Sequence, residues 1–136
     1  MLLSIDPEWA TAIYDGDKEY EYRRIPPACD PPFDCVLYET APTKAVTGEV
    51  RVETVVEGAP TEVISETVAG TPHSRDGLLA YFDGASKGAA LHATTVTEYD
   101  TAVSLEQLQD EFALSIPQNF QYLSDHEYIA LRSVTR

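Results

Sequence analysis

Strand-like apolar runs alternate with short stretches of helical period along this chain. Leu2 to Ile5 reads as a short apolar strand. Asp6 then caps a helix that has Pro7 and Glu8 in its first turn, a strong start signal. Trp9, Ala10, Ile13 and Tyr14 share one side of that helix, with Trp9 read as core, and Gly16 stops it. After a polar strand around Tyr20 to Arg24, four prolines between Ile25 and Pro32 predict a loop. The nearly continuous apolar run Cys35 to Glu39 predicts a central strand. Ala45 to Val56 follows with strict alternation, a half-buried strand in which Gly48 marks a bulge or barrel corner.

The second half continues in the same way. Thr61 is the expected cap of a helix over Glu62 to Val68, buried through Val63, Ile64, Thr67 and Val68. Gly70-Thr71-Pro72-His73 breaks the chain, and Ser74 caps a helix that Gly84 ends. Lys87 to Glu98 predicts a strand, and a helix is expected from about Glu106 to Phe112. Ser124 caps a final helix, with Tyr128, Ile129, Leu131 and Val134 expected to pack inward. His73 reads as a loop histidine, because no second ligand or base stands near it in sequence, and His92, flanked by Leu91 and Ala93, reads as a core or edge histidine.

The chemistry concentrates in Gly16-Asp17-Lys18-Glu19-Tyr20-Glu21-Tyr22-Arg23-Arg24. The protein carries 9 Lys and Arg against 23 Asp and Glu, and three of those cations fall between Lys18 and Arg24. Asp15-Gly16-Asp17 is a turn signature, so Lys18 stands where a turn enters a strand and can reach into a cleft. In a strand Glu19, Glu21 and Arg23 share one face, and Lys18, Tyr20, Tyr22 and Arg24 share the other. Glu21 and Arg23 can therefore pair. Taken as residue types alone, such a pair is a surface ion pair worth under about 1 kcal/mol.

The spacing Gly-x-Lys-x-x-Glu-x-Arg, filled by Gly16, Lys18, Glu21 and Arg23, resembles the signature of the ASCH domain, a PUA-like family associated with RNA binding. The preceding Leu2-Leu3-Ser4-Ile5-x-Pro7-Glu8-x-Ala10-x-x-Ile13 and the later Thr-x-Pro-x-x-x-Val-x-Gly-Glu-Val and Tyr81-Phe82-x-Gly84-x-x-Lys87-Gly88 strings are similar to that family's pattern. Pro117-Gln118-x-Phe120-x-Tyr122-Leu123 resembles a C-terminal string of archaeal ASCH-like proteins. The resemblance spans nearly the whole chain. It implies one domain over residues 1–136 of class α+β: a PUA-like mixed β-barrel of about five to six strands, with an early helix and a helical insertion.

Charge and composition narrow the rest. A net charge of −14 over 136 residues argues against a sequence-independent DNA coater, which would show a basic stripe. It resembles the composition of proteins adapted to a salt-filled cytoplasm, where molar salt cuts the Debye length to about 3 Å. No apolar run is long enough for a membrane helix and no signal-peptide pattern opens the chain, so a cytoplasmic, monomeric protein without membrane contact is expected. Cys29 and Cys35, five residues apart with no second pair, make a poor zinc site and an improbable cytosolic disulfide. No metal or cofactor is expected. There is no phosphate loop, nucleophile elbow or His-Glu-x-x-His.

Two functions follow. One is a cleft that binds RNA or a nucleotide or nucleoside through Ser4, Lys18, Glu21, Arg23, Arg24 and Tyr122. In it Lys18 and Arg24 take phosphate, Glu21 and Arg23 shape the floor, and Tyr20, Tyr22 or Tyr122 stacks a base. The loop after Arg24 would wall it. The other is hydrolysis, with Lys18 and Glu21 as acid and base. The resemblance implies a ribonuclease or an N4-acetylcytidine amidohydrolase. Glu21 stands where the small amidohydrolase branch carries Thr, which speaks against the latter.

Overall fold

The computed structural model describes residues 1–112, 114 and 120–135. Its strands are β1 (Leu2–Ile5), β2 (Tyr20–Arg23), β3 (Phe33–Glu39), β4 (Ala45–Gly58), β5 (Gly88–Ser104) and β6 (Phe120–Gln121). Its helices are α1 (Pro7–Tyr14), α2 (Pro60–Thr67), α3 (Arg75–Tyr81), α4 (Leu105–Glu111) and α5 (Asp125–Ser133). The strands form one mixed sheet in the order β2-β5-β4-β3-β1-β6, with β1 parallel to β3 and the other pairs antiparallel.

The sheet is rolled. In a flat sheet β2 and β1 would lie four strand spacings apart, roughly 19 Å. Here the Arg23 guanidinium on β2 donates to the Ser4 carbonyl on β1 at 2.6 Å. A side chain, in place of a ladder, joins the two strands across the seam of the barrel.

Alternation along the strands separates two cores. Leu3, Ile5, Leu37, Val50, Val52 and Leu91 pack with Ala10 and Ile13 of α1. Leu2, Val36, Tyr38, Val46 and Val103 pack on the opposite face against Leu108 and Leu131. A third cluster seats α2 and α3 on β2 and β5 through Val63, Ile64, Leu78, Phe82, Tyr22 and Ala90. Gly48 sits at a register break between β4 and β5. A Cβ there would meet the Thr97 carbonyl at 2.4 Å and the Tyr14 hydroxyl at 2.5 Å, so only glycine lets α1 approach the bulge.

Several boundaries depart from expectation. The cap position of α2 is Ala59, not Thr61, because Pro60 with its fixed φ supplies the first helical residue. β5 does not stop near Glu98; Val103 and Ser104 continue the ladder opposite Val46 and Ala45. Ser104 then closes a capping box with Gln107, starting α4 at Leu105. α5 opens on a capping box of Ser124 and Glu127, but Ile129 is 67% exposed and Val134 37%. Tyr128 and Leu131, three apart, take the buried face, and Ile129 lies about 100° away from Tyr128 around the helix. Pro117 to Asn119, the first part of the C-terminal string, lie outside the described residues. Cys29 and Cys35 are free thiols, and burial pushes that of Cys35 up to about 12. Among the described residues no helix is long and apolar enough to cross a membrane.

Candidate functional site

The position of Lys18 follows from how α1 ends. Gly16 adopts φ +85, and its N–H donates to the Ile13 carbonyl at 3.1 Å. The Asp17 N–H reaches back to the Ala12 carbonyl at 2.9 Å, completing a Schellman turn. The Lys18 N–H shares that carbonyl at 3.1 Å, so the residue is pinned to the helix end before β2 begins. The strand face expected to part Lys18 from Glu21 therefore does not apply. Lys18 precedes the strand, and its Nζ lies 3.3 Å from Glu21 Oε1.

A charge cluster results. Glu21 Oε2 accepts from Arg23 Nη2 at 3.0 Å, and Glu21 Oε1 accepts from the Tyr22 N–H at 3.1 Å. Lys18, 2% exposed, donates to His73 Nε2 at 2.5 Å and lies 5.4 and 5.1 Å from the Trp9 and Tyr22 ring centroids. Because Nε2 must accept, His73 is the neutral Nδ1–H tautomer. Burial and the adjoining ammonium push the imidazole down to about 4. Burial lowers the Lys18 pKa, while Glu21 pulls the other way.

His73 arrives from a distant segment. The Gly70 carbonyl accepts from the Glu19 N–H at 2.8 Å, tying the loop after α2 to the start of β2. A Cβ on Gly70 would come within 2.6 Å of Glu19 Oε2. His73 then packs on Trp9, with centroids 4.1 Å apart, and edge-on to Tyr22 at 5.5 Å.

Above the cluster opens a cavity of about 700 Å³. Ser4, Trp9, Glu21, Arg23 and His73 line it, and Leu78 and Tyr81 of α3 form a wall. The Tyr81 hydroxyl donates to the Tyr22 carbonyl at 3.1 Å, which fixes α3 to β2. A second cavity of about 590 Å³ adjoins it, sharing Arg23 and Tyr81 and adding Arg24, Ile25 and Lys87.

The structure thus gathers Ser4, Lys18, Glu21 and Arg23, with Lys18 beneath the floor instead of in the lining. Arg24 belongs to the second cavity. Tyr122 lines neither; half exposed, its hydroxyl accepts from the Ala28 N–H at 2.6 Å and clips the proline-rich loop. That loop reaches the second cavity through Ile25 and does not wall the first. Tyr20 stacks on His92, with centroids 4.7 Å apart, so that face is already occupied. Tyr22 is buried among α2 and α3, its hydroxyl 2.8 Å from Thr67 Oγ1. Sequence reasoning missed His73 and Tyr81, and read Trp9 as core alone; it packs against the core and also walls the cavity. No local signal marked His73, whose partner Lys18 lies 55 residues away. Among the described residues no group of three His, Cys, Asp or Glu could hold a metal.

The arrangement holds the Glu21 carboxylate between two cations and sets Arg23 in the cavity lining. The profile of the ASCH domain matches residues 3–130. The chain is 28% identical over 137 residues to a Zymomonas mobilis protein named ASCH domain-containing ribonuclease, covering 98% of this chain and 90% of the relative. The crystal structure of ASCH from Zymomonas mobilis superposes with a TM-score of 0.90 at 29% identity, covering 99% of this chain and 94% of that one. A single-substitution mutant of that protein gives 0.91 at 28% identity, covering 99% and 97%. The N-terminal domain of Staphylothermus marinus McrB shares the fold alone, at a TM-score of 0.51 and 13% identity over 74% of this chain and 69% of that one.

Proposed function

The chain belongs to the ASCH domain family, and on that premise we propose that its larger cavity binds single-stranded RNA. The observation that carries this reading is a roughly balanced charge cluster beneath an aromatic-walled cavity on a protein of net charge −14. Phosphate is repelled by the acidic surface almost everywhere. Here Lys18 and Arg23 offset Glu21, and only Asp6 adds a further negative charge to the lining. The volume suits one nucleotide, within the usual range for ligand pockets. Tyr81, 41% exposed between the two cavities, offers a ring on which a base stacks. A free nucleotide or nucleoside would meet the same ring.

A second reading, backbone cleavage in the same cavity, is favoured by the contact of Glu21 with Lys18, itself bonded to His73, and by the name of the Zymomonas mobilis relative. Glu21 would take the proton of a ribose 2′-hydroxyl, and the 2′ oxygen would bond to the adjacent phosphorus. The bond from phosphorus to the 5′ oxygen then breaks, and that oxygen takes a proton from water. Arg23 would balance charge on the phosphate, with Lys18 holding Glu21 in place.

The two readings separate in one experiment with a 5′-labelled RNA octamer at a KCl concentration where circular dichroism shows each protein folded. Binding alone predicts RNA affinity with no cleavage, and Glu21→Gln affinity equal or slightly raised. Cleavage predicts single-turnover rates about a hundredfold lower in Glu21→Gln while binding persists. Wild-type protein that neither binds nor cleaves the octamer refutes both. The proposal extends to a monomer, one domain over residues 1–136, working in a salt-filled cytoplasm. Its support is the charge of −14, since unscreened carboxylates repel one another. Undiminished stability from molar KCl down to about 0.1 M would refute the salt adaptation.

A further inference from the structure

We infer that the second cavity, between Arg24 and the turn from Gly84 to Lys87, is a subsite for a backbone phosphate of the strand whose base occupies the first. This inference rests on the RNA reading and adds a direction to it. The cavity is lined by Arg23, Arg24 and Lys87 without a single carboxylate. On a chain with 23 acidic residues and 9 basic ones, that is a local reversal of sign.

The pairing of the cations sharpens the point. Lys18, Arg23, Arg51 and Arg132 are held in ion pairs. Among the described residues Arg24, Lys44, Arg75 and Lys87 form none, and of these Arg24 and Lys87 come from β2's end and from the turn before β5 to face one space. Both side chains are exposed, so neither is used to fill a core. Gly84, at φ +80, lets the turn form, and the Arg24 guanidinium lies beside it: Nη2 is 3.8 Å from the place a Cβ would occupy. An Arg fork and a Lys ammonium at the mouth of one cavity suit the several acceptor oxygens of a phosphate. Arg23 and Tyr81 belong to both cavities, so a strand stacking a base on Tyr81 passes its next phosphate directly to Arg24 and Lys87.

The test uses Arg24→Gln/Lys87→Gln, two exposed changes, with fluorescence anisotropy of a labelled RNA octamer across KCl concentrations that keep the fold intact. The double variant should bind about tenfold more weakly, and the slope of log affinity against log salt should fall by about 1.4, for two contacts to a single strand. Unchanged affinity and slope in the variant overturn the subsite. So does an oligoglutamate peptide that binds as tightly as RNA and is lost equally, since the site would then read any polyanion. If wild-type protein binds no RNA, the RNA reading fails by itself, and the subsite is judged with inorganic pyrophosphate. Amide shifts confined to residues 84–88 that vanish in the double variant would uphold it as a free-phosphate site. Their absence would overturn it.

Discussion

Glu21→Gln should cost far more stability than Lys18→Met, although the two residues face each other. Glu21 sits between two cations, with Lys18 Nζ at 3.3 Å and Arg23 Nη2 at 3.0 Å. At an effective dielectric of 20, the Lys18 contact alone corresponds to about 5 kcal/mol of Coulomb attraction. Desolvation offsets much of that while the pair is intact. When one partner is removed, the offset disappears and a buried charge is stranded, at a cost of about 3–5 kcal/mol. Glu21→Gln does this to Lys18, which is 2% exposed and keeps only His73 and two ring faces. Lys18→Met leaves Glu21 its Arg23 and its Tyr22 N–H, and the methionine refills the space, so about 1–2 kcal/mol is expected. The double variant should be less destabilised than the sum by about 2 kcal/mol or more. Urea melts followed by circular dichroism at fixed KCl and neutral pH measure all three. The pH dependence supplies a sign. Because the folded state lowers the Lys18 pKa from 10.5, the unfolded chain binds more protons as pH approaches that value, and stability rises there. The Glu21→Gln deficit should therefore narrow at high pH, where the stranded ammonium sheds its proton. Equal costs for the two single variants, or additivity within about 0.5 kcal/mol, would refute the reasoning.

Three further outcomes are expected. Gly48→Ala should destabilise by about 1–3 kcal/mol in the same melts, because its Cβ meets backbone oxygen and the Tyr14 ring, and it should loosen the Tyr14–Thr47 hydrogen bond of 2.7 Å. NMR titration should place His73 near 4, and Lys18→Met should raise it; in wild type its contribution to stability is full above about 6.5 and is lost as pH falls towards 4. Tyr22→Phe should cost only about 1 kcal/mol, since the Thr67 hydroxyl already donates to the Val63 carbonyl and is left without an unmet donor; a melt showing more than about 3 kcal/mol would contradict this.

The seam of the barrel shows where local information ends. Gly16, Lys18, Glu21 and Arg23 were legible as a motif, because a positive-φ turn and a short strand are written in neighbouring residues. Ser74 and Ser124 were legible as caps for the same reason, each cap bond spanning three residues. The α+β class and the ASCH resemblance likewise rest on short spacings and on apolar runs at a strand period. What tertiary structure alone decided involves partners far apart in the chain. His73 meets Lys18 only because Gly70 bonds to Glu19, and Arg23 reaches Ser4 only because the sheet rolls. Tyr81 becomes a wall through its bond to the Tyr22 carbonyl. Tyr122, legible only as an aromatic within the C-terminal string, is spent on Ala28. Strand alternation even misplaced Lys18 opposite Glu21, since periodicity assumes a strand where the chain is still closing a helix. A side chain's identity sets what it can bond to. The distance at which it finds that partner is set by the rolled sheet and by the loops crossing its seam.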